Sequence, residues 1–196
     1  FPGITAPLEL HNNPVATSVT PRILEIYFSN TCNLKCIYCI PQFSSQINSE
    51  NAKFGPFQKN GVALPGFSNI PDEIPEATKH MFEWLDSNIH NLNKLMILGG
   101  EPFIQKETHQ LLNLLETKNL PNLDLVLFSN LTIDHTKFKK QIDQLQQIKL
   151  KANLNQLHLI CSIDCWGDSA TYVRNGLNLD LFEKNFNYVL HNTDII

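Results

Sequence analysis

Hydrophobic residues follow two alternating patterns along the chain. Short runs rich in β-branched and aromatic residues are typical of strands, and longer stretches with apolar residues three or four positions apart are typical of helices. The predicted strands cover residues 22–29, 94–98, 123–128 and 157–164. The predicted helices cover about residues 72–90, 104–117, 135–148 and 179–190. Because the order is βαβαβαβα, we expect an α/β fold with a parallel sheet covered by helices.

Two segments interrupt or precede this alternation. Residues 1–21 contain four prolines and little periodicity, so we expect an extended lead-in to one core domain at residues 22–196. A polar insertion at about residues 41–71 contains several glycines and prolines and is too interrupted for a long helix, although residues 43–52 suit a short one. A connection of this length is typical of a lid or a substrate loop.

Composition limits the classes of function. The chain has 196 residues, 42% of them hydrophobic, and a net charge of -4, which predicts one soluble globular unit with a substantial core. No apolar stretch approaches the roughly 20 residues that a bilayer requires, so we expect no membrane partner. Basic residues form only short pairs such as Lys139–Lys140, which weighs against a nucleic-acid partner.

The cysteine content and the chain ends add two expectations. Five cysteines are an odd number and no signal peptide is visible, so we expect a cytoplasmic, reducing location rather than a disulfide framework. The chain begins at Phe1 rather than Met, and residues 192–196 look like the approach to another strand. We therefore expect a fragment cut at both ends.

Three of the cysteines lie close together just past the first predicted strand. Cys32, Cys36 and Cys39 have the spacing CxxxCxxC. Three thiolates on one short loop can hold three corners of an iron–sulfur cubane and leave the fourth iron open for a ligand that reacts. A structural zinc site would instead need a fourth ligand nearby.

Cys161 and Cys165 are the candidates for that fourth ligand. Side chains alternate along a strand, so Cys161 should point away from the face of Ser162 and Asp164, which suits a small buried residue. Cys165 lies past the strand end and has room to face the site. A zinc-binding structural or interaction module therefore remains the alternative to an open cluster.

Each of the other predicted strands also ends in polar or glycine-rich residues, namely Gly99–Gly100–Glu101–Pro102, Ser129–Asn130 and Ser162–Ile163–Asp164. In parallel α/β proteins the reactive groups collect beyond the carboxyl ends of the strands. The two glycines let the backbone approach a ligand, and Glu101 offers a negative charge to an ammonium group. By itself, GGEP is more often a turn than a site.

Together these motifs resemble those of radical S-adenosylmethionine (radical SAM) enzymes. The resemblance covers about residues 22–190 and includes an aromatic residue, Tyr38, inside the cysteine motif. Residues 162–176 resemble most closely the branch that contains SPASM and twitch domains. The resemblance implies a partial (βα)6 TIM-like barrel with about four parallel βα units present, and with the last strands and a C-terminal domain missing.

The resemblance also implies a reaction, in which a [4Fe-4S] cluster cleaves S-adenosylmethionine reductively to a 5'-deoxyadenosyl radical that abstracts hydrogen from a substrate. Cys32, Cys36 and Cys39 would bind the cluster. The implied contacts with S-adenosylmethionine are Tyr38 with the adenine, Gly99, Gly100 and Glu101 with the ammonium, Ser162 and Asp164 with the ribose, Arg174 with the carboxylate, and Asn130 in the adenosyl pocket. Arg174 has the alternative of a helix-surface ion pair with Asp168 or Asp180.

The implied partners are a peptide or small-molecule substrate and an external electron donor such as flavodoxin or ferredoxin. An auxiliary cluster would lie in the missing domain. A nucleic-acid or nucleoside-modifying member of the superfamily is a further alternative, but it needs a basic surface. Of the histidines, His158 is the one expected to face the barrel interior and contact a substrate.

The sequence departs from the family pattern where Leu131 and Cys165 replace glycines that usually end two of the motifs. A side chain at either position requires a negative φ or accepted strain.

Overall fold

The computed structural model of the chain describes residues 20–64 and 75–195. Within these ranges the strands are β1 (Ile23–Tyr27), β2 (Lys35–Cys36), β3 (Gln58–Lys59), β4 (Val62–Ala63), β5 (Lys94–Leu98), β6 (Asp124–Ser129), β7 (Gln156–Cys161) and β8 (Arg174–Asn175). The helices are α1 (Ser45–Phe54), α2 (Pro75–Asn88), α3 (Lys106–Leu115), α4 (His135–Lys151), α5 (Asp168–Val173) and α6 (Leu179–Asn192). Short 3-10 turns lie at Ile89–Asn91 and Pro102–Ile104.

The central sheet has the strand order β1-β5-β6-β7, and every neighbouring pair is parallel. Helices connect these strands, as parallel pairing requires. The α/β prediction is confirmed, and the architecture is consistent with a partial βα barrel. The parallel arrangement places the carboxyl ends of all four strands at one edge of the sheet.

The core lies between this sheet and the helices. Alternate strand residues such as Ile97, Leu127 and Leu157 are completely buried. They pack with helix residues that repeat at three or four positions, including Phe138 and Ile142 on α4. Each fully buried side chain of this kind contributes about 1.5–3 kcal/mol of hydrophobic free energy, so this layer dominates the stability of the sheet.

The other face of the sheet carries rows of side chains set by the strand register. One row pairs Glu25 with Met96 and Val126 with His158. His158 alternates with the buried Leu157 and Leu159, and its ring is hydrogen-bonded to the Gln156 side chain at 2.8 Å. His158 therefore lies on the face opposite the helices, which is the face that would line a closed barrel.

The predicted element boundaries differ from the structure in several places. The strand predicted at 157–164 ends at Cys161, and the short helix expected at 43–52 is α1. The antiparallel β2–β8 ladder was not predicted, because strands of two residues have no periodicity to detect. Two parts of these predictions lie outside the described residues. Residues 1–19 cover most of the predicted lead-in. Residues 65–74 cover the end of the insertion and the start of the helix predicted at 72–90.

In the part of the chain that the structure describes, no helix combines the length and the apolar character needed to cross a membrane.

Candidate functional site

The loops at the carboxyl ends of β1, β5, β6 and β7 surround a cleft of about 410 Å³. The cleft is lined by all but one of the predicted site residues, namely Cys32, Cys36, Tyr38, Cys39, Gly99, Gly100, Glu101, Asn130, Ser162 and Arg174. The remaining residue, Asp164, is hydrogen-bonded to Tyr38 and Arg174. Residues separated by more than 140 positions in the sequence thus meet at one place.

The cysteine motif forms a compact loop after β1. The Cys32 sulfur accepts a hydrogen bond from the Leu34 amide at 3.5 Å, and the Cys39 amide donates to the Cys36 carbonyl at 2.9 Å. Cys36 itself belongs to β2 and is paired with Arg174 of β8. The local turns therefore direct the loop backbone so that all three cysteines line the cleft.

The start of α1 holds this loop from outside. The Ser44 hydroxyl donates to the Leu34 carbonyl at 2.8 Å and also accepts from the Ile47 amide, which makes Ser44 the N-cap of α1. The Cys32 amide donates to the Ser45 hydroxyl at 3.2 Å. The first helix of the insertion thus positions the cysteine loop, a role that the sequence did not indicate.

Burial dominates the electrostatics of the three thiols. It raises the pKa of Cys32 to about 12, and Glu101, Cys36 and Cys39 add to the rise because they repel a thiolate. Burial also raises the pKa of Cys36 and of Cys39, although the Arg174 guanidinium opposes the rise at both. The thiols are therefore protonated at neutral pH, and metal binding would have to release their protons.

The donor set suits an iron–sulfur cluster better than a single ion. Three soft sulfur ligands open onto one cleft, which is the ligand type that such clusters take. Among the described residues, no group of three or more His, Cys, Asp or Glu side chains is close enough to hold one metal ion. In a cubane each cysteine binds a different iron, so its thiolates need not converge on one point. The zinc alternative gains no support from this arrangement.

Cys161 and Cys165 do not line the cleft. Cys161 is half-buried, packs against the core, and its thiol donates to the Leu159 carbonyl at 3.9 Å. Cys165 is exposed. Neither residue adds a fourth sulfur ligand to the three in the cleft.

The two glycines of GGEP lie against the loop that follows β1. A Cβ atom on Gly100, whose φ is +26°, would lie 2.2 Å from the Thr31 carbonyl oxygen. A Cβ atom on Gly99, whose φ is +78°, would lie 3.1 Å from the Tyr27 ring. The Glu101 amide donates to the same Thr31 carbonyl at 2.8 Å. Glycine is therefore required here for backbone packing, in addition to the ligand approach that the sequence suggested.

Glu101 joins the ends of two neighbouring strands. Its side chain is 1% exposed and accepts hydrogen bonds from the Ser129 hydroxyl at 2.9 Å, the Asn130 amide at 2.8 Å and the Phe103 amide at 3.3 Å. Burial raises the pKa of Glu101 to about 7, and these three hydrogen bonds oppose the rise. Besides lining the cleft, the carboxyl group thus ties the GGEP turn after β5 to the end of β6.

Asn130 connects the end of β6, where it donates to Glu101, to the cysteine loop. Its side-chain amide donates to the Asn33 side-chain oxygen at 2.9 Å, and the Asn33 side-chain Nδ2 donates to the Thr132 carbonyl at 2.5 Å. Asn33 lies between the first two cysteines of the motif and was missed in the sequence, where it was one of the unspecified positions of CxxxCxxC. Asn130 therefore positions the loop as well as lining the cleft.

The two departures from the family pattern are accommodated differently. Leu131 adopts the left-handed region with a φ of +53° and is completely buried. The Asn185 side chain of α6 donates to the Leu131 carbonyl at 2.8 Å, and the Leu131 backbone amide donates to the Ser129 hydroxyl at 3.0 Å. Cys165 does not have a positive φ, whereas Gly167, two residues later, lies in the left-handed region with a φ of +70°. Strain is thus accepted at Leu131 and avoided at Cys165.

Arg174 forms its ion pair with Asp164. Its Nε lies 2.6 Å from Asp164 Oδ2, which also accepts the Tyr38 hydroxyl at 2.9 Å. The predicted alternative of a helix-surface ion pair with Asp168 or Asp180 is wrong, because Arg174 lies on β8 and only 12% of its side chain is exposed. Burial and the hydrogen bond to Asp164 raise the pKa of the Tyr38 hydroxyl.

Comparison with known proteins gives one family match. Residues 26–163 match the family model described as Radical SAM superfamily, which is well over half of the chain. The match includes the cysteine motif, the GGEP turn and Ser162. A search of curated proteins found no match to the chain.

Replacing Gly100 with alanine should destabilise the fold. The added methyl group would collide with the Thr31 carbonyl, and relieving such a collision costs about 1–3 kcal/mol. The control is Gly55→Ala, because a Cβ at Gly55, which also has a positive φ, meets nothing within 4 Å. Urea denaturation should show the larger loss for Gly100→Ala, and equal losses would contradict the packing argument.

The burial of Glu101 should make stability depend on pH. Its folded-state pKa of about 7 lies above the reference value of 4.5, so the folded chain holds the proton more tightly. The resulting stability is present in full below about pH 4.5 and is lost as the pH rises through about 7. The free energy of unfolding of the metal-free chain, relative to that of Glu101→Gln, should therefore fall between pH 5 and pH 8. A difference that stays constant over this range would contradict the assignment.

Proposed function

The chain belongs to the radical SAM superfamily, and we propose that it is an enzyme that uses a [4Fe-4S] cluster to cleave S-adenosylmethionine reductively. Membership implies an iron–sulfur enzyme, since the superfamily generally depends on this cluster and on S-adenosylmethionine. When bound, the pair would supply a 5'-deoxyadenosyl radical that abstracts hydrogen from a substrate. The observation that carries the proposal is that the three cysteines share one cleft with the GGEP turn, Ser162 and Arg174.

Cys32, Cys36 and Cys39 are the proposed cluster ligands. Their thiols are buried or half-buried at the cleft wall, and α1 and Asn33 hold the loop backbone that carries them. A loop that is held before the cluster arrives loses less conformational entropy on binding. The open side of the loop faces the cleft, where a ligand of the remaining iron would lie.

The family resemblance suggests the proposed contacts of S-adenosylmethionine, and the charge and position of the residues support them. Glu101, with Gly99 and Gly100, offers acceptors to the ammonium group, and Arg174 is the cation available for the carboxylate. Both Glu101 and Arg174 are largely shielded from water, which strengthens their interactions with a charged ligand. Ser162, Asp164, Asn130 and Tyr38 are the proposed neighbours of the ribose and adenine.

The cleft wall below these residues is apolar. Tyr27 and Leu98 are paired at the ends of β1 and β5, and both line the cleft together with Phe128. Apolar surroundings limit the access of water to a reactive radical and suit the unactivated carbon of a peptide or a small molecule. A flavodoxin or ferredoxin as the electron donor, and a reducing cytoplasm for the five free cysteines, complete this proposal.

Residues 162–176 resemble the SPASM and twitch branch, which supports the proposal that the chain is related to that branch. The resemblance also suggests an auxiliary cluster on a further domain. The nucleic-acid and zinc alternatives have no specific observation in their favour.

Cysteine variants test the proposed reaction directly. After anaerobic reconstitution with iron and sulfide, the protein should convert S-adenosylmethionine to 5'-deoxyadenosine when dithionite is added. Cys36→Ser should lose both the cluster and this product. Cys165→Ser is the matched control and should keep both, because Cys165 is exposed and does not line the cleft. Product formation by Cys36→Ser at the wild-type rate, or none by the wild-type protein, would contradict the proposal.

His158 offers a separate test of the substrate side. Its replacement by alanine should leave the cluster and the formation of 5'-deoxyadenosine without substrate unchanged, while altering turnover of the substrate. The exposed His90 serves as the control for removing an imidazole. Loss of iron and sulfide from His158→Ala would indicate a folding role instead.

A further inference from the structure

A guanidinium group faces one of the proposed cluster ligands. Arg174 and Cys36 are partners in the antiparallel β2–β8 ladder, and the Ile37 amide extends the ladder by donating to the Val173 carbonyl at 2.9 Å. From this position Arg174 Nη1 donates to the Cys36 sulfur at 3.8 Å. The contact is thus fixed by backbone pairing between the cysteine loop and the segment after α5.

Two further side chains hold the guanidinium in this orientation. Asp164 Oδ2 accepts from Arg174 Nε at 2.6 Å and from the Tyr38 hydroxyl at 2.9 Å. The guanidinium carbon also lies 5.5 Å from the centre of the Tyr38 ring, within range of a cation–π interaction. Because the Nε side is engaged by Asp164, the Nη1 side is left pointing toward Cys36.

Arg174 provides the positive charge on the described wall of the cleft. Among the described residues that line the cleft, Arg174 is the only lysine or arginine, whereas the bound cluster and three thiolates would be anionic. An arginine guanidinium is a delocalised cation. With only 12% of its side chain exposed, its field is weakly screened by water.

We propose that Arg174 is a positioning residue that raises the reduction potential of the cluster through Cys36, and that Asp164 limits this effect by partly neutralising the guanidinium. The inference rests on the proposed function, since it requires a cluster on Cys32, Cys36 and Cys39. Hydrogen bonds to cluster sulfurs and the net charge around the cluster are main determinants of its potential. An added electron is stabilised by a nearby cation and destabilised by a nearby carboxylate.

Arg174 and Asp164 should therefore shift the reduction potential of the cluster in opposite directions. Removing the charge of Arg174 should lower the midpoint potential, because the reduced cluster loses a cation and a hydrogen bond. Removing the charge of Asp164 should raise the potential, because the guanidinium is no longer offset. A purely structural role for the pair would move the potential in the same direction in both variants, or not at all.

The test is a redox titration of the reconstituted protein without S-adenosylmethionine, followed by electron paramagnetic resonance. The variants are Arg174→Gln and Asp164→Asn, with Arg174→Lys to keep the charge while losing the planar fork. The matched control is Lys35→Gln, one residue before Cys36, because the Lys35 ammonium pairs with Glu50 and does not line the cleft. We expect a lower potential for Arg174→Gln, a higher one for Asp164→Asn, a value between wild type and Arg174→Gln for Arg174→Lys, and no shift for Lys35→Gln.

The outcomes separate this inference from the proposed function. A wild-type protein that binds no iron and sulfide overturns both. A loaded protein in which Arg174→Gln and Asp164→Asn shift the potential in the same direction, or leave it unchanged, overturns the inference alone. If Arg174→Gln fails to assemble the cluster, Asp164→Asn decides the matter, since a potential that does not rise in that variant overturns the inference.

Discussion

The buried carboxyl group of Glu101 is the interaction on which the site depends. It accepts hydrogen bonds from Ser129 and Asn130 at the end of β6 while its own backbone is held by Thr31 after β1. Asn130 then reaches Asn33 in the cysteine loop. An acidic group this deeply buried is costly unless its donors are in place, so the ends of three strands and the loop are constrained together.

This constraint gives the cleft its chemical character. Burial keeps the metal-free thiols protonated. Among the described residues that line the cleft, the charged side chains are Glu101 and Arg174. In a weakly solvated site, single charges have large effects on bound groups. Binding of a cluster and of a zwitterionic cofactor would therefore be controlled by a small number of side chains.

The fold, and the grouping of the candidate site residues around one cleft, followed from local patterns in the sequence. Alternating strand and helix periodicities predicted the parallel sheet, and unusual residues after each strand indicated where the cleft lies. The pairing of Cys36 with Arg174, the hydrogen bond between Asn33 and Asn130, and the bridging role of Glu101 could not be predicted, because each joins residues 28 to 138 positions apart and depends on tertiary packing. The left-handed Leu131 likewise depends on Asn185 of the last helix.

In the proposed function, three cysteines hold a cluster whose fourth iron is open to S-adenosylmethionine. Mössbauer spectroscopy of the protein reconstituted with isotopically labelled iron tests it most directly. We expect that one iron of the cluster differs from the others and that its spectrum changes when S-adenosylmethionine is added. A cluster whose irons are equivalent and unaffected by S-adenosylmethionine would contradict it.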